Sequence, residues 1–228
     1  MDTIAFPYLF HILCVLPAFG VVSWIYLRTN EPPAKKKRHL LTICAQIWLL
    51  VYTLAAAAAE KIDLFPPKLP STKAWLLGML FIAVVLARVK LGLRRADLKS
   101  KQRLGLFLPE NLKEFWSWMP VSVLAGLWEE CAYRGAAYSL LVLMTRSTRF
   151  ALVACVIAFA LAHLYQGWKG AIEIGFYGVV SHMAVFLTGS LYLSIAVHAT
   201  YDLLAGWLVM RLVPREPAVV QPEPLLQP

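Results

Sequence analysis

Met119 to Met144 reads MPVSVLAGLWEECAYRGAAYSLLVLM. A hydrocarbon core is crossed by about 20 apolar residues, and this stretch is long enough, yet it places Glu129, Glu130 and Arg134 within one short segment. A charge near the centre of a span costs at least roughly 2.5–3.5 kcal/mol on insertion scales. Three together therefore need partners, and intramembrane charges of this kind usually mark a functional site.

The rest of the chain fits a membrane reading of that stretch. Of 228 residues, 60% are apolar and 15% charged, against about 25% charged in an ordinary soluble domain. The apolar residues recur in blocks of membrane-spanning length. The first runs from Ile4 to Leu27 and stops at Arg28; with Asp2 and no basic residue before it, it reads as a span and not as a removable signal peptide. Lys35, Lys36, Lys37 and Arg38 then form an expected basic loop after Pro32-Pro33, followed by a block from Leu40 to Ala59. The connection EKIDLFPPKLPSTK leads to a third block, Ala74 to Leu93, closed by Arg94 and Arg95.

Residues 97–118 mix lysines and arginine with Leu, Phe and Trp, the pattern of an interfacial amphipathic helix. Pro109-Glu110-Asn111 marks a helix start. Further spans are expected at Met119–Met144, Phe150–Tyr165, Ala171–Leu187 and Tyr192–Leu212. The expected fold is all-α: a polytopic bundle of about seven spans, eight if the 97–118 helix inserts. Residues 1–95 hold the N-terminal transmembrane helices, residues 96–213 a domain built around the charged stretch, and residues 214–228 a Pro-rich, disordered cytoplasmic tail.

Alternating the spans puts the N-terminus outside and the C-terminus in the cytoplasm, with most of the 22 Lys and Arg on the cytoplasmic side. Arg146 and Arg149 are discordant, which points to a tilted or broken fourth or fifth element. The net charge of +9 is accounted for by loops facing anionic lipid and calls for no nucleic acid. Cys14, Cys44, Cys131 and Cys155 lie in apolar blocks without metal-ligand spacing, so no disulfide framework or zinc knuckle is indicated.

Glu130 and Arg134 stand four apart and share a helix face, where they can neutralise each other. Glu129 is left about 100° further round the helix and needs a partner from elsewhere. Two later spans offer candidates: FALAH puts Phe159 and His163 on one face of the fifth, and HATYD does the same for His198 and Asp202 on the seventh. Four polar groups can thus converge from three helices. His182, alone in the sixth span, reads as a packing residue.

EECAYR, FALAH and HATYD, in this order and each on an apolar helix, resemble the motifs of the CPBP family of intramembrane proteases, the group of the type II CaaX prenyl endopeptidases (Rce1-like) and the bacterial Abi proteins. The resemblance covers about Leu104 to Met210, including the contexts GLWEECAYRGAAYSLL and LTGSLYLSIAVHATYDLLAG. It implies an intramembrane endopeptidase in which Glu129 is the general base on water and His163 holds that water. His198 and residue 202 would face the carbonyl oxygen, Glu130 and Arg134 would support Glu129, and Phe159 would orient the His163 ring. Family members often carry asparagine where this chain has Asp202, and an ionised carboxylate can only accept. That leaves Asp202 protonated, orienting His198, or binding metal. No cofactor is favoured; zinc held by Glu129, His163, His198 and Asp202 is the alternative, although no HExxH is present. The implied partners are membrane lipid and a peptide or protein substrate, prenylated or not, and the compact chain points to a prokaryotic plasma membrane. Two other readings stay open: a non-proteolytic membrane binding or immunity module of the same fold, and a haem bundle ligated by His163 and His198.

Overall fold

A computed structural model describes residues 4–29, 35–95 and 108–213. In lipid the backbone must satisfy its own hydrogen bonds, so each apolar block has to close into a helix. Among the described residues there is no strand. Helix α1 joins Ala5–Phe10, a π-helical turn His11–Val15 and Leu16–Thr29; α2 is Lys35–Ala59 and α3 is Thr72–Arg95. Helix α4 runs through Leu112–Glu129, a π-helical segment Glu130–Ala137 and Tyr138–Thr145. Helices α5 (Thr148–Ala162), α6 (Trp168–Thr188) and α7 (Tyr192–Leu212) follow, with a 3-10 turn Leu164–Gln166 between α5 and α6.

Among the described residues, these helices lie where the seven spans are expected. Five of them, Ala5–Arg28, Lys37–Ala59, Thr72–Arg95, Trp168–Thr188 and Tyr192–Leu212, are long and apolar enough to cross a membrane. Helix α4 contains the charged stretch, and α5 is a shorter apolar helix of 15 residues. A left-handed cap at Arg146, φ 55°, ends α4 in the link expected between the fourth and fifth spans.

The basic run Lys35 to Arg38 differs from expectation: it belongs to the first turn of α2 and is not a loop. Lys and Arg are good helix formers, and the helix starts as soon as the Pro32-Pro33 pair is passed. Of the interfacial helix expected over 97–118, residues 97–107 lie outside the described residues; from Leu112 the segment is continuous with the fourth span. The expected tail, 214–228, also lies outside them. The helix start is set by Asn111, whose side chain accepts from Glu114 N–H at 2.9 Å, while the Glu114 carboxylate accepts from Glu110 N–H at 3.0 Å. Pro109 precedes this cap.

Helices α4 and α7 form the central antiparallel pair, and glycine sets their spacing. A Cβ at Gly126 would stand 2.8 Å from the backbone nitrogen of Ala199, and Gly206 is covered by the Trp118 indole. Trp118 Nε1 also donates to the Asp202 carbonyl at 3.2 Å. Helix α1 comes equally close to the end of α5, with Gly20 against the carbonyls of Leu161 and Ala162. All eight residues of the π-helical segment are buried. Tyr8 from α1 and Thr53 from α2 reach it: the Tyr8 hydroxyl lies 3.3 Å from Thr53 Oγ1 and 3.4 Å from the Ala132 carbonyl.

The outer faces carry exposed apolar side chains such as Phe19, Phe176 and Phe186, as a lipid-facing surface requires. Ends that alternation assigns to one side meet there: Arg88 near the end of α3 pairs with Glu173 near the start of α6 at 2.6 Å. At the other side the Tyr192 hydroxyl donates to the Phe65 carbonyl at 3.3 Å. On the first of these sides Trp24, Trp168 and Trp207 are covered by Arg28, Lys169 and Arg211, as interfacial aromatic anchors are. Cys131 and Cys155 are buried, Cys14 and Cys44 exposed, and all four are free.

Candidate active site

The site begins at the change of helix type in α4. Glu129 is the last residue before the π-helical segment and Glu130 the first within it; such insertions recur at functional sites because they redirect side chains. Both carboxylates are buried, Glu130 at 1% exposure and Glu129 at 7%. A buried charge needs pairing and hydrogen bonds, and Glu130 has them. Its Oε2 accepts from Ser181 Oγ of α6 at 2.5 Å, its Oε1 stands 2.8 Å from His198 Nδ1 of α7, and Arg134 Nε is 3.5 Å from Oε2. The expected Glu130–Arg134 pair is therefore present, but the closer partners come from two other helices.

Glu129 stands differently. Its Oε2 is buried and makes no hydrogen bond among the described residues. It lies 3.8 Å from His163 Nε2 and 3.8 Å from His198 Nε2. His198 Nε2 is in turn 3.7 Å from Asp202 Oδ2, one turn further along α7. The structure thus brings together Glu129, His163, His198 and Asp202, from three helices. The side chains of His163, His198 and Asp202 are 16%, 19% and 25% exposed, so the group is not fully sealed.

Hydrogen-bond partners fix the histidine tautomers. His163 caps the C-terminus of α5, and its Nδ1 lies 2.8 Å from the Phe159 carbonyl, which can only accept. Nδ1 therefore carries the proton, and neutral His163 turns a lone pair at Nε2 toward Glu129. The same logic protonates His198 at Nδ1, against Glu130. Phe159 meets the His163 ring edge-on at 4.7 Å, and its face carries the Arg134 guanidinium at 4.1 Å. One aromatic side chain thus contacts both an expected site histidine and the arginine of the supporting pair.

His182 stands apart from this group. Its Nδ1 is 3.0 Å from its own helix's Gly178 carbonyl, and its ring packs on Tyr138 at 5.5 Å. Ser181, its neighbour in sequence, is the residue that sequence reasoning missed. A lone serine in an apolar helix ordinarily bonds its own backbone, so nothing in the sequence marked it.

A zinc ion would require at least three ligands at about 2.0–2.2 Å around one point. Among the described residues no group of three or more His, Cys, Asp or Glu side chains is set to hold a metal.

No curated protein and no solved structure matches the chain. Residues 111–204 match the family model of the type II CAAX prenyl endopeptidase Rce1-like proteins, and every residue from Glu129 to Asp202 discussed above falls inside that match. The protein is an integral membrane helix bundle, and its residues 111–204 are similar to the type II CAAX prenyl endopeptidase Rce1-like family.

Proposed function

We propose that the protein is an intramembrane endopeptidase that hydrolyses a peptide bond with water activated by Glu129. The observation that carries this reading is the buried Glu129 Oε2, without a hydrogen-bond partner among the described residues and 3.8 Å from the bare Nε2 of His163. Two acceptors at that spacing leave room for one water bridging them at about 2.8 Å from each. Such a water donates both hydrogens to the protein and turns its lone pairs outward. As its oxygen adds to the substrate carbonyl carbon, Glu129 takes one proton and the carbonyl oxygen becomes an oxyanion. When the C–N bond breaks, Glu129 returns that proton to the leaving amine.

The oxyanion needs donors fixed in advance. His198 has Glu130 at Nδ1 and both Glu129 and Asp202 facing Nε2, a setting that favours a proton at each ring nitrogen and offers Nε2–H to the oxyanion. Asp202 supports His198 in this scheme, where an asparagine would donate directly. We take residues 96–213 as the protease domain and residues 1–95 as helices that support it. The basic bias puts the N-terminus outside and the Trp24, Trp168 and Trp207 side in the cytoplasm. Prenylated CaaX peptides are the substrate class to try first, since the family match names it.

The test is cleavage of a fluorogenic prenylated CaaX peptide by the detergent-solubilised protein, with and without chelator, beside elemental analysis for zinc. Cleavage that survives chelation and disappears in Glu129→Ala is the expected result. Stoichiometric zinc with chelator-sensitive cleavage would replace this scheme by a metal one. A folded protein that cleaves no peptide in any condition would favour the binding module.

A further inference from the structure

We propose that Ser181, on α6, is a positioning residue for the hydrolysis proposed above, a role that rests on that reading of Glu129 and His198. The Glu130 carboxylate has two competing partners. On one side lies His198 Nδ1, 2.8 Å from Oε1; on the other lies Arg134, whose Nε is 3.5 Å from Oε2. Arg134 is 3% exposed, and neither its Nε nor its Nη1 makes a hydrogen bond among the described residues. A buried guanidinium with an unpaired Nε strongly attracts a carboxylate four residues away, because a hydrogen bond between two charged groups is about twice as strong as a neutral one.

What keeps Glu130 from turning onto Arg134 is the Ser181 hydroxyl, whose proton goes to Oε2 at 2.5 Å. The terminal torsion of a glutamate is soft, so one strong contact at Oε2 decides where Oε1 points. With Ser181 in place, Oε1 points at His198, holds the proton on Nδ1 and sets Nε2 toward Glu129 and Asp202. Without the hydroxyl, the carboxylate turns further onto Nε of Arg134, and the imidazole loses both its orientation and the partner that holds its Nδ1 proton. Helix α6 thereby takes part in the reaction through a residue that touches neither water nor peptide.

The expected effect of Ser181→Ala is a kcat lower by about 10- to 100-fold, the range for losing a hydrogen bond to a charged group, with KM unchanged. Ser181→Thr, which keeps the hydroxyl, restores most of the rate. A structural role alone would not move the second readout, the ring N–H signals of 15N-histidine-labelled protein in detergent, with His198 assigned by loss of its signal in His198→Gln. Wild type gives a hydrogen-bonded His198 Nδ1–H; Ser181→Ala loses it or shifts it, and Ser181→Thr recovers it. A His198 Nδ1–H signal unchanged in Ser181→Ala would overturn the proposal, whatever the kinetics. So would a Ser181→Ala enzyme with wild-type kcat. Because this spectrum needs no substrate, a protein that cleaves nothing would defeat the proteolytic reading and still leave the Ser181 geometry open to test.

Discussion

Gly126→Ala adds one methyl group where α4 and α7 touch. The new Cβ would stand 2.8 Å from Ala199 N, 2.9 Å from Ala199 Cβ and 3.0 Å from Ala199 Cα. Two of these three atoms are backbone, so no side chain can rotate aside and the helices themselves must part. Restoring a normal contact of about 3.5 Å requires a separation of about 0.7 Å. His198 is the residue next to Ala199, and Glu130 lies one turn beyond Gly126. The same movement stretches the 2.8 Å bond between His198 Nδ1 and Glu130 Oε1 to about 3.5 Å, where it ceases to be a hydrogen bond. Misplacing a catalytic group by about 1 Å costs on the order of 10²-fold in rate; Gly126→Ala should lower kcat by about 10- to 100-fold. The measurement is kcat on the fluorogenic peptide together with the melting temperature in detergent. Gly92→Ala is the control: its Cβ would meet nothing within 4 Å, and Ala is favoured over Gly in a helix by up to about 1 kcal/mol, so rate and melting temperature should hold or rise. A Gly126→Ala enzyme within about twofold of wild-type kcat would refute the claim that this close approach sets the His198–Glu130 distance.

Other outcomes follow from the same geometry. Glu129→Ala and His163→Ala should each abolish measurable cleavage while leaving the size-exclusion profile in detergent unchanged; retained activity in Glu129→Ala would end its assignment as the base. Asp202→Asn should keep cleavage within about tenfold of wild type, because the amide can donate to the oxyanion. A much larger loss would mean that the carboxylate is needed to orient His198. His182→Ala should lower stability by about 2 kcal/mol through the cavity it opens, seen as a lower melting temperature, while kcat of the folded fraction stays near wild type.

The helices are legible in the sequence because lipid leaves the backbone no alternative to a helix, so apolar length alone locates Tyr192–Leu212 and its neighbours. The motif residues are legible for a related reason: a charge in an apolar span is conspicuous, and i,i+4 spacing says which side chains share a face. Glu129, His163, His198 and Asp202 stand out on those grounds, and the structure draws them together. The basic run at Lys35 misled, since charge marks a loop only where the residues are also poor helix formers. The π-helical segment Glu130–Ala137 left no trace, because the change in hydrogen-bond register depends on buried contacts such as that of Tyr8 with Ala132. Ser181 and Gly126 were equally hidden: a serine or a glycine in an apolar helix acquires meaning only from what another helix brings against it.

Helix α5 has one more consequence. Its 15 residues rise only about 22 Å, while the hydrocarbon layer is about 30 Å thick. A short segment of this kind obliges lipid to pinch inward or water to descend to its end. The residue at that end is His163. A dent in the bilayer at this point would supply the reactant that an oily interior otherwise excludes, so hydration of the site would depend on the thickness of the surrounding membrane as well as on the side chains that line it.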